Sequence, residues 1–149
     1  NIIELTKKMI SIFNKLYPEV KIKLNKKIEE AFVFGSMDDL EEVIGNIIEN
    51  ACKYGRNQIE VEVKIIEENS LQLIISDDGS GLSQEQMNKV FARGFRIDEQ
   101  KPGTGLGLNI VKDIVETYMK GQVDLQKSKR LGGLEVTIFL PLSMSQKVF

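Results

Sequence analysis

Apolar residues recur along this chain at two spacings, which separate the predicted helices from the predicted strands. Spacings of three and four residues predict amphipathic helices, whereas strict alternation predicts half-buried strands. The first predicted helix ends before Pro18. Its apolar face, which needs a partner layer, consists of Ile2, Leu5, Met9, Ile12, Phe13 and Leu16.

Capping residues mark the beginnings of later helices. The pairs Ser36–Asp39 and Ser83–Gln86 have the spacing of capping boxes. The first pair begins a long helix that runs to about Tyr54, before Gly55, and the second begins a short helix. A further helix is predicted from Leu106 to Met119. Its apolar positions are Leu108, Ile110, Val111, Ile114, Val115 and Tyr118.

Several other segments are predicted to be strands, because they alternate or form short apolar runs between turn residues. They are Val20 to Leu24, Ala31 to Phe34, Ile59 to Ile65, Leu71 to Ser76, Gln122 to Leu125 and Leu134 to Leu140. Mixed helices and strands of this kind predict helices packed on one face of a mixed or antiparallel sheet. With 149 residues and 42% hydrophobic content, the chain suits a single domain, which we expect to span residues 1–149.

The long predicted helix carries a polar stripe. At about 100° per residue, Glu42, Asn46, Glu49, Asn50 and Lys53 fall on one side of it. A solvated face is the ordinary explanation of such a stripe. Asparagine is a poor residue for a helix interior, however, and two asparagines one turn apart indicate a use for their amides. Amide oxygens are hard ligands suited to Mg²⁺, and Lys53 would reach phosphates as a point charge.

Two glycine-rich blocks follow along the chain. Asp77-x-Gly79-x-Gly81 comes after a predicted strand, and by itself it is more typical of a plain turn. Gly103-Thr104-Gly105-Leu106-Gly107-Leu108 opens a predicted helix, where unpaired N–H groups and the helix dipole attract phosphate. Its G-x-G-x-G spacing does not fit the dinucleotide fingerprint G-x-G-x-x-G. Flexibility alone is the alternative explanation of the second block.

Residues 90–102, between the two blocks, have no clean periodicity and carry Arg93, Arg96 and Lys101. A basic loop in this place suits a mobile lid that closes over phosphates. A merely solvated, charged loop is the alternative.

Together these blocks resemble the catalytic, ATP-binding domain of bacterial sensor histidine kinases, PhoQ-type sensors in particular. Glu42-x-x-x-Asn46-x-x-x-Asn50-Ala51-Cys52-Lys53-Tyr54 looks like the N box of that family. The blocks at residues 77–81 and 103–108 look like its G1 and G2 boxes. The resemblance implies the Bergerat α/β two-layer sandwich, with three main helices packed on a mixed, largely antiparallel sheet.

The resemblance also implies roles for the polar stripe. Asn46 and Asn50 would hold Mg²⁺ and the triphosphate of ATP, Lys53 would contact phosphate, and Tyr54 would line the nucleotide pocket. Glu42, Asn46 and Lys53 are the residues that we expect to act in catalysis.

Further roles follow for the G boxes and the lid. Asp77 would accept a hydrogen bond from the adenine amino group, which favours adenine over guanine. Gly79 and Gly81 would let the backbone approach the nucleotide, and residues 103–108 would cradle it. In the lid, Arg93, Arg96 and Lys101 would bind the phosphates.

The F box fits the family pattern only in part. Phe91 matches its first phenylalanine, but Gly94 stands where many relatives have a second one, and Phe95 follows one position later. Phe95 is therefore shifted by one residue from the position at which the family's second phenylalanine packs.

The implied function is to bind ATP·Mg²⁺ and to pass the γ-phosphoryl group to a histidine on a dimerisation domain. The sequence contains no histidine, so that acceptor must lie outside this chain. A response regulator would be an indirect partner. Two alternatives stay open: an ATPase of the wider superfamily that includes gyrase, Hsp90 and MutL, with Glu42 activating water, and a non-catalytic module that works without nucleotide.

Composition argues against several other classes of protein. The single cysteine, Cys52, rules out an internal disulfide framework and suits a reducing compartment. A net charge of −2 argues against a broad nucleic-acid-binding face. No apolar run approaches the roughly 20 residues that span a bilayer, and a signal-peptide pattern is missing at the start. We therefore expect a cytoplasmic fragment, excised from a longer protein that the family resemblance makes an inner-membrane sensor.

Overall fold

Five strands form one sheet in the computed structural model, which describes residues 1–91 and 107–143. The strands are β1 (Lys21–Lys26), β2 (Gln58–Glu67), β3 (Ser70–Asp77), β4 (Gln122–Lys127) and β5 (Leu134–Pro141). They lie in the order β1-β2-β3-β5-β4. The β1 strand is parallel to β2, and the other neighbouring pairs are antiparallel. The predicted mixed, largely antiparallel sheet is thus confirmed.

In the described part of the chain, three main helices pack against this sheet and against one another. They are α1 (Ile2–Leu16), α2 (Met37–Tyr54) and α4 (Gly107–Asp113), which continues as a π-helical turn over Ile114–Tyr118. A short helix, α3 (Gln84–Lys89), lies between α2 and α4 in the sequence. Ser36 and Ser83 cap α2 and α3 as predicted, through hydrogen bonds from the backbone N–H groups three residues later. Among the described residues, no helix is both long and apolar enough to cross a membrane.

The strand register places the buried apolar side chains on one face of the sheet. Val61 lies opposite Ile75, and Ile75 lies opposite Val136. All three side chains are buried, whereas their neighbours along the strands, such as Glu62 and Glu135, are not. Alternation with period two sends successive side chains to opposite faces, so the core lies between this face and the helices. The predicted two-layer arrangement is confirmed.

The buried face of α1 differs from the predicted one. Ile12 and Leu16 are 39% and 64% exposed, although they fit the apolar spacing. Ile3 and Ile10 are buried instead, together with Thr6, whose hydroxyl donates to the carbonyl of Ile2 over 2.7 Å. Because Thr6 satisfies its own polar group within the helix, it occupies the core without an unpaired hydroxyl.

The prediction of a strand from Ala31 to Phe34 is wrong. This segment makes one isolated bridge, between Val33 and Leu142. The carbonyl of Ala31 instead accepts from the N–H of Ile2 over 2.8 Å, and its own N–H donates to Oδ1 of Asn1 over 3.3 Å. These backbone groups secure the beginning of α1, so they are not available for a strand ladder.

The last predicted helix forms, but its final turn is wider than an α-helical turn. The N–H of Met119 donates to the carbonyl of Ile114 over 3.1 Å, which is an i→i+5 bond. A wide turn rotates less per residue, so Met119 comes onto the buried face of Val115 and Tyr118 leaves it. Met119 is fully buried, whereas Tyr118 is 65% exposed. The prediction that Tyr118 belongs to the apolar face is therefore wrong.

Candidate functional site

A pocket opens between the second half of α2 and the adjoining ends of β3 and β5. It is a cleft whose space of about 520 Å³ includes solvent at its open mouth. Most of its wall is aliphatic, with a few polar groups. The lining residues are Ile47, Asn50, Ala51, Tyr54, Ile75, Asp77, Ser80, Gly81, Leu82, Leu108, Leu134 and Val136.

Asp77 supplies the buried carboxylate of this pocket. It is the last residue of β3 and is only 5% exposed. Its Oδ1 accepts hydrogen bonds from the N–H groups of Gly79, at 2.9 Å, and Leu134, at 3.3 Å. Within the part of the chain that the structure describes, no hydrogen bond reaches Oδ2. The carboxylate is therefore anchored through one oxygen and keeps the other as an acceptor for a ligand.

Burial also changes the acidity of this carboxyl group. Desolvation raises the pKa of Asp77 above its ordinary value. The backbone N–H groups of Gly79 and Leu134 lower the pKa and offset part of this effect, while the neighbouring charge of Asp78 adds to the rise. A buried acceptor with a perturbed pKa in an apolar pocket is a feature of functional sites.

Asn46 and Asn50 lie together beside the beginning of α4. A Cβ atom placed on Gly107 would lie 3.3 Å from Nδ2 of Asn50 and 3.5 Å from Oδ1 of Asn46. Nδ2 of Asn46 donates to the backbone carbonyl of Glu42 over 2.8 Å, which directs Oδ1 away from that carbonyl. The N box and the last glycine of the G2 box thus lie next to each other.

Of the other residues assigned to the N box, Tyr54 lines the pocket as predicted, whereas Lys53 and Glu42 do not. Lys53 is not among the lining residues, and its ammonium lies 3.3 Å from the carboxylate of Glu49. The side chain of Glu42 is exposed and also does not line the pocket. The catalytic roles of Glu42 and Lys53 stay predictions.

The two G1 glycines are needed for different reasons: Gly79 for close packing and Gly81 for its backbone conformation. A Cβ atom on Gly79 would lie 2.1 Å from the carbonyl oxygen of Tyr54 and 3.0 Å from Cα of Gly55. Gly81 has φ +72°, a left-handed conformation that favours glycine, and it lines the pocket. Gly79 therefore lets the turn after β3 touch the end of α2.

The Asp77–Gly79 turn is also tied to α2 by Asp78. Its Oδ1 accepts from the N–H groups of Arg56, at 2.8 Å, and Asn57, at 3.1 Å. Burial alone would raise the pKa of Asp78, but these backbone hydrogen bonds outweigh it and hold the pKa below its ordinary value. The carboxylate is therefore stabilised in its charged form.

Several predicted residues lie outside the described part of the chain. They are Arg93, Arg96, Lys101, Gly103, Thr104, Gly105 and Leu106, together with Gly94 and Phe95 of the F box. At the border of that segment, Nζ of Lys112 lies 4.8 Å from the centre of the Phe91 ring. This is a cation–π contact that holds Phe91 against α4.

Sequence reasoning missed the aliphatic walls of the pocket. Ile47 and Ala51 belong to the buried apolar side of α2, its core stripe, and Ile75 and Val136 belong to β3 and β5. They are buried, but they also face the pocket. The only available signal for Ser80 was its place between the two glycines Gly79 and Gly81.

Comparison with known proteins agrees with this geometry. Residues 35–144 match the family described as histidine kinase-, DNA gyrase B- and HSP90-like ATPase. The chain belongs to this family. The match covers the N box, both G boxes and the pocket that they line, so the resemblance inferred from the sequence blocks is confirmed.

Within this ATPase family, the curated relatives include sensor kinases. The virulence sensor histidine kinase PhoQ of Salmonella typhimurium (strain 14028s) is 33% identical over 131 residues, which are 87% of this chain and 26% of the relative. The sensor protein kinase CarS of Pseudomonas aeruginosa is 42% identical over 108 residues, which are 72% of this chain and 24% of the relative. The chain thus spans about a quarter of the length of these relatives.

A solved structure of the family confirms the fold. The mycobacterial sensor histidine kinase MprB superposes with a TM-score of 0.83 at 24% identity and covers 93% of each chain. The expected histidine-kinase type of α/β sandwich is therefore the fold of this chain.

Proposed function

We propose that this chain is the catalytic domain of a sensor histidine kinase, which binds ATP·Mg²⁺ and donates the γ-phosphoryl group to a histidine on a separate dimerisation domain. The observation that carries the proposal is the meeting of three distant sequence blocks at one pocket. Asn50, Asp77 and Leu108 come from the N, G1 and G2 boxes, and all three line it.

The nucleobase would occupy the apolar part of the pocket. Ile47, Ile75 and Val136 provide aliphatic surface for a flat ring, and Tyr54 lies beside them. Oδ2 of Asp77 would accept a hydrogen bond from an exocyclic amine, because Oδ1 is already used by Gly79 and Leu134. Adenine carries such an amine where guanine carries a carbonyl, so the pocket favours ATP over GTP.

The triphosphate would lie toward Asn46, Asn50 and Gly107, and the same asparagines would hold Mg²⁺. These residues fit the ion, since Oδ1 of Asn46 remains an acceptor while its Nδ2 is bonded to Glu42, and amide and phosphate oxygens are the ligands that Mg²⁺ prefers. Bound Mg²⁺ would neutralise charge on the phosphates. Among the described residues, no group of three Cys, Asp or Glu side chains forms a competing metal site.

Basic side chains would complete the phosphate end of the site. Lys53 is paired with Glu49 in the structure, and a phosphate would compete with this carboxylate for its ammonium. We propose that Arg96 and Lys101, with Arg93, bind the phosphates from the lid.

Phosphoryl transfer needs positioning and charge neutralisation more than covalent chemistry. An imidazole nitrogen of the acceptor would form a bond to the γ-phosphorus as the bond to the β,γ-bridging oxygen breaks and ADP leaves. Because the chain contains no histidine, the acceptor would be supplied by the dimerisation domain of the parent protein. We propose that the parent is an inner-membrane sensor with this domain in the cytoplasm, and that a response regulator receives the phosphoryl group next.

The test is a transfer reaction in two pieces. The chain is incubated with Mg²⁺, γ-labelled ATP and a separately prepared cognate helical domain that carries the acceptor histidine. We expect acid-labile label on the added domain, weak because the covalent link and its effective concentration are missing, and none on the chain itself. Asn50→Ala should abolish the label.

Two outcomes would contradict the proposal in different ways. Steady release of free phosphate that depends on Glu42, with no labelled domain, would establish the ATPase alternative. Failure of the folded chain to bind ATP by calorimetry would favour a module that works without nucleotide.

A further inference from the structure

Asp78 lies next to the adenine-binding carboxylate but does not line the pocket. We infer that Asp78 is a positioning residue that sets the distance between Asp77 and α2, and thereby the preference of the pocket for adenine. The inference rests on the proposed function, because it concerns how the ATP site of that proposal is held in shape.

The contacts of Asp78 join two segments that are far apart in sequence. Its Oδ1 accepts from the N–H groups of Arg56 and Asn57 at 2.8 and 3.1 Å, and its Oδ2 lies 3.3 Å from the same N–H of Asn57. Arg56 and Asn57 follow directly after α2 and Gly55. Hydrogen bonds to an ionised acceptor are stronger than neutral ones, so this is a firm link between the turn and the end of α2.

The two linked segments are also in direct contact. A Cβ atom on Gly79 would overlap the carbonyl oxygen of Tyr54, and a Cβ atom on Gly55 would lie 3.1 Å from Cβ of Asp77. Because backbone touches backbone here, a change in the link cannot be absorbed by a flexible side chain. A shift of the turn moves Asp77 and Tyr54 apart at once.

Asp77 itself is held from the opposite side. Its Oδ1 accepts from the N–H of Leu134, and its backbone carbonyl accepts from the N–H of Gly133 at 3.1 Å. These bonds fix Asp77 to the beginning of β5 and do not involve α2. Toward α2, Asp77 lies opposite Ile59 of β2, and Asp78 adds a side-chain link to Arg56 and Asn57, the residues that join α2 to β2.

A bound nucleobase has to contact Asp77 and the α2 side of the pocket at the same time. If Asp78 is lost, Asp77 keeps its contacts with β5 and β2, and α2 keeps its core stripe, but the turn after Asp77 loses its side-chain link to the residues that follow α2. We expect the contact between adenine and Asp77 to weaken more than the contacts between phosphates and α2. A merely structural role would lower stability and leave the ratio of ATP to GTP affinity unchanged.

The experiment compares ATP and GTP affinities by calorimetry in the whole chain with Mg²⁺. Asp78→Ala removes the acceptor, whereas Asp78→Asn keeps Oδ1 for the two N–H groups. Asp124→Ala is the matched control, since Asp124 is an exposed carboxylate on β4 that bonds only Gln122 among the described residues. Thermal unfolding is recorded for each variant.

We expect Asp78→Ala to weaken ATP binding about tenfold and to lower the ATP-to-GTP ratio by a similar factor, as for a lost charged hydrogen bond. Asp78→Asn should restore affinity to within about threefold of the parent, and Asp124→Ala should match the parent. A folded Asp78→Ala with the parent's ratio overturns the inference. If Asp78→Ala does not fold, Asp78→Ser, whose shorter side chain draws the acceptor back from the two N–H groups, decides: a lowered ATP-to-GTP ratio supports the inference, and the parent's ratio overturns it.

A failure of the proposed function would look different. In that case the parent would not bind ATP, or Asp77→Asn would bind it as tightly as the parent. If Asp77→Asn loses affinity while Asp78→Ala does not, only the positioning role of Asp78 is wrong.

Discussion

Replacing Asp77 by asparagine separates what this carboxylate does for the ligand from what it does for the fold. Oδ1 of Asp77 accepts from two backbone N–H groups, at 2.9 Å from Gly79 and 3.3 Å from Leu134. The amide oxygen of the variant would keep both bonds, which orients the group. The amide nitrogen then takes the place of Oδ2, so an N–H donor meets the amine of adenine.

The size of the effect follows from this reversal. One charged hydrogen bond to the base is lost and a buried donor is left facing another donor, which together cost about 2–3 kcal/mol. That corresponds to a loss of roughly 30-fold to 160-fold in ATP affinity. Guanine presents a carbonyl at the same place, so GTP should lose less than ATP or gain.

Stability should change in the opposite direction. Burial raises the pKa of Asp77, so the folded protein binds this proton more tightly than the unfolded chain does. The ionised side chain therefore opposes folding, and stability falls as pH rises through the raised pKa. Neutral asparagine avoids that cost, and we expect the melting temperature at neutral pH to be equal to or above that of the parent.

Calorimetric titration of ATP and GTP with Mg²⁺, combined with thermal unfolding, measures both effects. Asp124→Asn, on the exposed side of β4, is the control for a change of charge. The reasoning is refuted if the folded variant binds ATP within about twofold of the parent, or if the parent binds GTP as well as ATP.

Three other results are expected. Asn50→Ala should abolish ATP·Mg²⁺ binding in calorimetry with little change in melting temperature, because Asn50 lines the pocket while the core stripe of α2 is untouched; tight binding by the folded variant would refute this. Affinity for adenosine should decrease as the pH is lowered through the raised pKa of Asp77, because the proton would sit on Oδ2 and present a donor to the adenine amine, and this step should be missing in Asp77→Asn. Burial and the charges of Glu19 and Glu49 raise the pKa of Cys52 to about 11, so its thiol should resist alkylation at pH 8 until the protein unfolds. Rapid labelling of the native chain would contradict its burial.

The sequence predicted α2 well because its local signals agree. The cap at Ser36, the apolar stripe and Gly55 mark the same helix, and the structure has it over Met37–Tyr54. The strand prediction for Ala31 to Phe34 is wrong because a short apolar run does not show which segment its backbone will hydrogen-bond. The hydrogen bonds of Ala31 go to Asn1 and Ile2, some thirty residues earlier in the chain.

The candidate site was predictable where polar residues stand in unusual places. Asn46 and Asn50 stand out because asparagines one turn apart inside a helix indicate a use for their amides. Asp77 was selected by the family resemblance, since its block alone is typical of a turn. Ile47 and Val136 were not found, because periodicity shows that a side chain faces inward but not whether it meets a neighbour or a cavity. Lys53 was grouped with Asn50 by its angle on the helix, but a long flexible side chain places its charge independently of that angle.

The overlap between Gly79 and Tyr54 affects how related sequences should be judged. A side chain at residue 79 would collide with the main chain at the end of α2 whether or not a nucleotide is present. A degenerate relative that had given up ATP would therefore still have to keep this glycine in order to fold. The glycine of the Asp-x-Gly block is a marker of the architecture, whereas under the proposed function the aspartate before it and the second asparagine of α2 are the markers of nucleotide use.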